Sequence, residues 1–489
     1  MNKYRIIVAV VFSLVSFALS AQQANTLYYM DRVFHSQTVN ISKIPANKVQ
    51  VGGLIIPVFG QLPPPLYLNY GNSSFRYNDI IHFGTGRMQD SLIFDFPLLM
   101  SKVNKITSIR SEMRVDLLDL GFRLKNGKSA LTISLAERVL AGTNMPYDMF
   151  ELAINGNLNY MLEGKTHELS KFSTDVTAFH ELAVGYTSKI GTRFQLGGRV
   201  KMMFGISDVS TNVKTLELRT DPDEYFITAI ADLEVRKATA FAELTTEQTA
   251  NGDSTYMTTD FSLDALKTNL MSLGNFGLGL DLGFTYNITK KLAVSISATD
   301  WGFINWTQNA QIGSAKNEYT FEGIEIPVSR DAEGRLRYGI DTLRYNIDHI
   351  TDTLIDLFDI KVKNKSYMSF LPSNVFVGAT YKLHDKIGFG VLYRGQVYRK
   401  AYNQSLTLSA NSNITHWLSL HLSWSLINNS AANVGFGFSV RAGFVTWYAV
   451  TDNVIGLLLP QKARTLNLRM GCNLTFGHPK KVLRSASRL

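Results

Sequence analysis

The chain has 489 residues, 45% of them hydrophobic but only 18% charged, with 49 lysines and arginines against 40 acidic side chains. That apolar fraction excludes an intrinsically disordered chain, because there is ample surface to bury. A single cysteine, Cys472, excludes a disulfide scaffold.

At the start, Lys3 and Arg5 precede an apolar run from Ile6 to Leu19, and Ala18-Leu19-Ser20 stands before Ala21. A positive n-region, a short apolar h-region and a small-residue cleavage site are the pattern of a secretory signal peptide. The run is short of the roughly 20 residues that a membrane-spanning helix needs. Residues 1–20 are therefore expected to be removed. Residues 21–62 read as a periplasmic or lumenal plug-like segment, which takes in the apolar stretch Val49–Val58. Pro63, Pro64 and Pro65 mark where a wall begins.

From there the dominant signal is alternation. Phe276, Leu278, Leu280, Leu282, Phe284 and Tyr286 interleave with Gly277, Gly279, Asp281, Gly283 and Thr285. Successive strand side chains point to opposite faces, so the bulky apolar groups share one side. The same phase recurs in Val375-Val377-Ala379-Tyr381, Leu418-Leu420-Leu422-Trp424 and Leu466-Leu468-Met470-Cys472. In a soluble sheet the second face would be rich in lysine and glutamate. Here it is glycine, serine, asparagine and threonine with a few arginines, which suits lipid outside and a polar lumen within. The fold class expected is all-β: a transmembrane antiparallel barrel of about 14 strands. The first covers 65–75, and the others start near 110, 128, 172, 193, 276, 291, 373, 386, 402, 416, 433, 443 and 464.

Connections support this reading. Short turns at Asn126-Gly127, 188–192, 288–291, 384–385 and 412–415 alternate with long segments at 140–170, 207–275 and 304–372. Asn-Gly is a strong hairpin signal, and membrane barrels combine short periplasmic turns with longer extracellular loops. Helical spacing in 341–358 (Leu343, Ile347, Ile350, Leu354, Leu357) and in 260–271 predicts helices packed over the mouth. The barrel is expected to span 63–476, followed by a basic periplasmic tail at 477–489.

Tyr28-Tyr29-Met30-Asp31-Arg32, followed by Ile44-Pro45-Ala46 ahead of a strand, is similar to the N-terminus of FadL-like outer-membrane barrels of Bacteroidota. Gly198-Arg199-Val200-Lys201, the stretch from Gly274 to Gly283, and Asp300-Trp301-Gly302-Phe303-Ile304-Asn305-Trp306 resemble one uncharacterised outer-membrane family within that set. The resemblance implies a plug-like role for Pro45 and Ala46. It also implies transport or binding of a small hydrophobic or amphipathic molecule, or a non-transporting place in a surface or secretion assembly.

Alternation assigns Arg123, Lys125, Arg138, Arg199, Lys201, Lys382, Arg394, Arg441 and Arg469 to the lumen, against Asp119, Glu181 and Asp281. Arg199, Lys201, Arg394, Arg441 and Arg469 form a candidate basic track. Such residues either favour anions in a pore or brace the barrel by pairing with carboxylates. The sequence carries no His-Glu-x-x-His, Gly-x-Ser-x-Gly or Gly-x-x-x-x-Gly-Lys motif, so neither enzyme, cofactor nor metal is expected. Basic charge spread along the chain argues against nucleic acid. The partners expected are outer-membrane lipid, a small hydrophobic ligand, and other outer-membrane or periplasmic subunits.

Overall fold

The computed structural model describes residues 25–54, 65–84, 91–125, 127–249, 252–259, 273–322, 328–330, 336–338, 361–398, 401–428 and 430–477. The expected signal peptide, both helical stripes and nearly all of the basic tail lie outside them. Among the described residues no helix is long and apolar enough to cross a membrane, which says nothing about crossing by strands.

The wall is a closed antiparallel barrel of 14 staves. The first stave is shared by β1 (Val49–Gly52) and β2 (Leu66–Asn72). The others are β3 (Ile106–Arg123), β4 (Ser129–Pro146), β5 (Ser173–Ile190), β6 (Phe194–Thr220), β8 (Asn275–Asn287), β9 (Leu292–Trp306), β11 (Ser373–His384), β12 (Ile387–Tyr398), β13 (Ala401–Ser412), β14 (Leu418–Ile427), β15 (Ser430–Ala442), β16 (Val445–Thr451) and β17 (Thr465–Phe476). Each pairs with its neighbours, and the first stave closes the ring between β3 and β17.

Both halves of that stave bond to the same two strands. Val49 lies opposite Phe476 and Phe122, and Leu66 opposite Met470 and Val115. The segment expected to remain outside the wall through residue 62 thus contributes Val49–Gly52 to it. The strand number stays even, because β1 and β2 fill one position between them.

Outward faces carry the large apolar residues. Along β8, Phe276, Leu278, Leu280 and Leu282 are exposed while Gly277, Gly279, Asp281 and Gly283 are buried. A leucine left in water forfeits about 1.5–3 kcal/mol of burial. Dozens of exposed aliphatic and aromatic side chains around the ring therefore require hydrocarbon as their solvent. Closure leaves no unpaired edge in that solvent.

Two segments expected as loops continue as strands. β6 runs on to Thr220 and pairs with β7 (Ile227–Ala238), which pairs with β10 (Ala310–Phe321), so a sheet rises beyond the wall. Short helices, α1 (Phe96–Lys102), α2 (Tyr147–Asn155) and α3 (Leu158–Leu162), lie at the same end. On the opposite side of the ring β16 is only seven residues long. Above it the wall is completed by α4 (Val454–Leu458), whose cap Asn453 also bonds Thr465 and Asn433.

Among the register shifts of the described strands, three shape the mid-lumen. They fall between Asp116 and Leu118 in β3, at Ile206 in β6, and at Asp300 in β9, where φ is 61°. An extra residue turns the following side chains to the other face. Inward residues of β3 are even-numbered up to Asp116 and odd-numbered from Asp119.

Candidate functional site

Two layers fill the lumen. The first is the plug, residues 25–48, wound around the short 3₁₀ turns Thr26–Tyr29 and Phe34–Thr38. Its hold on the wall is both apolar and polar: Leu27, Met30 and Val33 pack with Tyr448 and Val450, and Tyr28, Tyr29 and Val39 with Phe376 and Leu392, while hydrogen bonds fix the backbone. Asp452, just past β16, accepts the backbone N–H of Asn25 at 2.6 Å and of Thr26 at 2.8 Å. The Tyr28 hydroxyl lies 2.6 Å from Ser295 Oγ, and Ser42 Oγ 2.7 Å from Thr285 Oγ1. Thr187 and Ser297 donate to the carbonyls of Ile41 and Val39, each at 2.6 Å. Arg32 donates to the Thr415 carbonyl at 2.6 Å. These contacts reach staves on opposite sides of the ring.

Glycine on the inward face is what admits the plug. A Cβ on Gly197 would stand 2.2 Å from the Ile41 carbonyl oxygen, and one on Gly390 2.1 Å from the Tyr29 ring. Close approach of two backbones is a position only glycine fills.

His35 joins the plug to the second layer. Its Nε2 lies 2.9 Å from Asp119 Oδ2 and 3.2 Å from Asp116 Oδ2, and its Nδ1 lies 2.8 Å from the Tyr448 hydroxyl. Burial alone pushes the imidazole pKa down, but the two carboxylates outweigh it and hold the pKa above its ordinary value. By ligand type His35, Asp116 and Asp119 could hold a cation. Arg114 and Arg469, however, already bring positive charge onto Asp116, at 2.6 and 3.1 Å. The cluster is better satisfied as a hydrogen-bonded junction.

The second layer is a lattice of ion pairs across the mid-lumen. Glu181 receives Arg114 at 2.7 Å and Arg138 at 2.8 Å. Asp300 receives Arg138 at 2.7 Å and Lys201 at 2.6 Å. Arg138 also reaches Glu112 at 2.6 Å, and Lys201 reaches Asp281 at 2.9 Å. Arg199 lies 3.6 Å from Asp281. With Arg469 on Asp116 at 3.1 Å, five cations face five carboxylates, nearly all buried. Beyond the lattice Phe179, Met203, Ile304, Trp306 and Leu371 pack together, beside a polar group in which Asp208 accepts from Thr177 at 2.6 Å and from the Tyr367 hydroxyl at 2.8 Å.

The structure brings together three of the five residues of the candidate basic track. Arg199, Lys201 and Arg469 line one small polar cavity between plug and lattice, with Arg138 beside them. Arg394 is buried in the lumen, bonds Asn374 at 2.8 Å and lies over the Phe376 ring. Arg441 lies instead at the rim, 2.8 Å from Asn47 Oδ1. Arg123, Lys125 and Lys382 also belong to the rim rather than the lattice. Pro45 and Ala46 line a recess on the underside of the plug.

Sequence reasoning missed Glu112, Arg114, Asp116 and Asp300. Each lies before or at a bulge that reverses the phase from which the inward set was read, and no residue type announces those bulges. Asp452 was missed because it follows a strand that stops early.

A closed 14-stave barrel with apolar groups outside, short turns at one end, long connections at the other and a plug inside defines an outer-membrane β-barrel protein. The chain belongs to a family of unknown function, DUF5723, which matches residues 45–452. No curated protein matches it. Among solved structures it is similar to a Pseudomonas aeruginosa FadL homologue, at 9% identity and TM-score 0.39, with 93% of this chain and 97% of that one covered. The Pseudomonas putida toluene transporter TodX stands at 8% identity and 0.38, with 94% and 95% covered. The Ralstonia pickettii toluene transporter TbuX stands at 7% and 0.27, with 85% and 90% covered.

Proposed function

We propose that the protein is a gated outer-membrane barrel, exported by its N-terminal signal peptide, that admits a small hydrophobic or amphipathic molecule and releases it past a displaced plug. It acts without catalysis or cofactor. The observation that supports this most is the chemistry of the plug–wall interface. Its buried side chains include Asn25, Thr26, His35, Asn40 and Ser42, facing serine, threonine and aspartate on the wall. Water can replace such contacts when the plug withdraws, at little cost per hydrogen bond. The apolar part of the interface, where Leu27, Met30 and Val33 meet Tyr448 and Val450 and where Tyr28, Tyr29 and Val39 meet Phe376 and Leu392, keeps the plug closed until a ligand engages it.

The test is uptake of labelled fatty acids into liposomes by the purified barrel, beside a form lacking residues 21–48. Uptake that rises on plug removal supports the gate. Equal leakage of a hydrophilic dye and no ligand preference in either form would refute it.

A second reading, a non-transporting subunit of a surface or secretion assembly, is favoured by the filled lumen. Pull-down from native membranes separates the two. One stable, stoichiometric large partner supports the assembly, whereas an isolated barrel with co-purified lipid supports the transporter.

A further inference from the structure

Read along the chain, the basic residues look evenly scattered; in space they are not. The turn after β3 carries Lys125 and Lys128, and the turn after β5 is flanked by Lys189 and Arg193. The turn after β8 carries Lys290 and Lys291, and that after β11 is flanked by Lys382 and Lys386. All four lie at the short-turn end, which is the periplasmic end. Arg32, Lys43, Lys48 and Arg441 occupy the same face further in, on and beside the underside of the plug. Among the described residues only Asp31 and Asp385 oppose these twelve cations at that end. The excess there is at least as large as the +9 of the whole chain. The rest of the molecule is close to neutral.

We infer that the periplasmic face is a docking surface for an acidic periplasmic protein, which sets its carboxylates against the lysines and arginines around the underside of the plug. Charge complementarity of this extent steers association and selects against basic partners. Two observations favour a protein over the anionic headgroups of the inner leaflet. The first is placement, because Arg32 and Lys43 line the recess under the plug, inside the ring of staves, where headgroups surrounding the barrel do not reach. The second is the recess itself, lined by Arg32, Lys43, Pro45 and Ala46 together with Gln37 and Gln50. That lining is cationic and polar and lies inside the ring, so it suits a carboxylate side chain of a docked protein rather than a headgroup of the surrounding leaflet.

The experiment is site-specific photocrosslinking of the full chain in native membranes. The crosslinker replaces Ala46 in the recess, Thr289 in the turn before Lys290, or Glu224 at the opposite end as control. The expected result is one acidic protein trapped from both Ala46 and Thr289 but not from Glu224. Its yield should fall at least roughly tenfold in the triple variant Lys48→Glu, Lys290→Glu, Lys291→Glu, equivalent to about 1.4 kcal/mol. Should that variant fail to reach the membrane, the unaltered chain in about 1 M salt, where screening shortens to about 3 Å, must show the same loss. Adducts only to phospholipid, an adduct removed by muramidase, or a protein adduct indifferent to both salt and charge reversal would each overturn the proposal.

Discussion

Asp300 shows how much one inward carboxylate carries. It accepts from Arg138 at 2.7 Å and from Lys201 at 2.6 Å, while its own backbone N–H is held 2.8 Å from Asp281. Removing one member of a buried ion network leaves the others uncompensated, at a cost of about 3–5 kcal/mol. Asp300→Asn is therefore expected to lower the midpoint of heat-induced unfolding sharply in detergent. Arg441→Gln, at the partly exposed rim, should cost less than about 1 kcal/mol and move the midpoint little. Equal effects of the two substitutions would mean that the lattice is not a structural unit. Gly197 makes a complementary case, in which the wall tolerates change and the plug does not. A valine there would drive its Cβ into the Ile41 carbonyl. Gly197→Val should fold as a barrel yet leave residues 25–48 open to protease, and a plug as resistant as in the unaltered chain would show that the close fit is dispensable.

At the scale of elements, the strands were legible because a bilayer imposes a two-residue period that nothing else in the chain obscures. Each stave begins within a few residues of where alternation places it. What alternation cannot show is where its own phase breaks. One inserted residue in β3, β6 or β9 costs the strand little and leaves Leu117, Ile206 and Asp300 as ordinary members of an apolar-polar pattern. The lattice is built around those insertions, so the acidic half of it was invisible. The sheet formed by β6, β7 and β10 was read as loop for a related reason: beyond the bilayer neither face must be apolar, and the signal fades. Asn25–Lys48 offered little beyond its resemblance, because polar residues buried by tertiary contacts look like solvent-exposed ones in sequence. Its behaviour is nevertheless predictable from His35. The folded pKa is raised, so the stabilisation is fully present below the unfolded value of about 6.5 and is lost as pH rises through the folded value. The difference in unfolding midpoint between the unaltered chain and His35→Gln should then be largest in mild acid and shrink toward alkaline pH. A difference that grows with pH would reverse the assignment.

For the whole molecule the decisive property is that charge is segregated by depth. Mid-lumen, five cations meet five carboxylates and the net field is small; at the periplasmic face cations dominate. An opened pore therefore has two candidate sources of ion selectivity, and they differ in exposure. The rim is solvated, so its influence must fade as the screening length falls from about 10 Å at 0.1 M salt to about 3 Å at 1 M. A buried track lining the lumen would be screened far less. Opening requires loosening two plug anchors, the Asp452 carboxylate that holds Asn25 and Thr26 and the His35 junction. In planar bilayers the unaltered barrel is expected to show no steady conductance, and the double variant Asp452→Ala, His35→Ala is expected to open. Reversal potentials of that variant should show anion preference at low salt that vanishes near 1 M. Preference that persists at high salt would relocate selectivity to Arg199, Lys201, Arg394 and Arg469 within the lumen and would mean that the carboxylates beside them do not neutralise them when the plug moves.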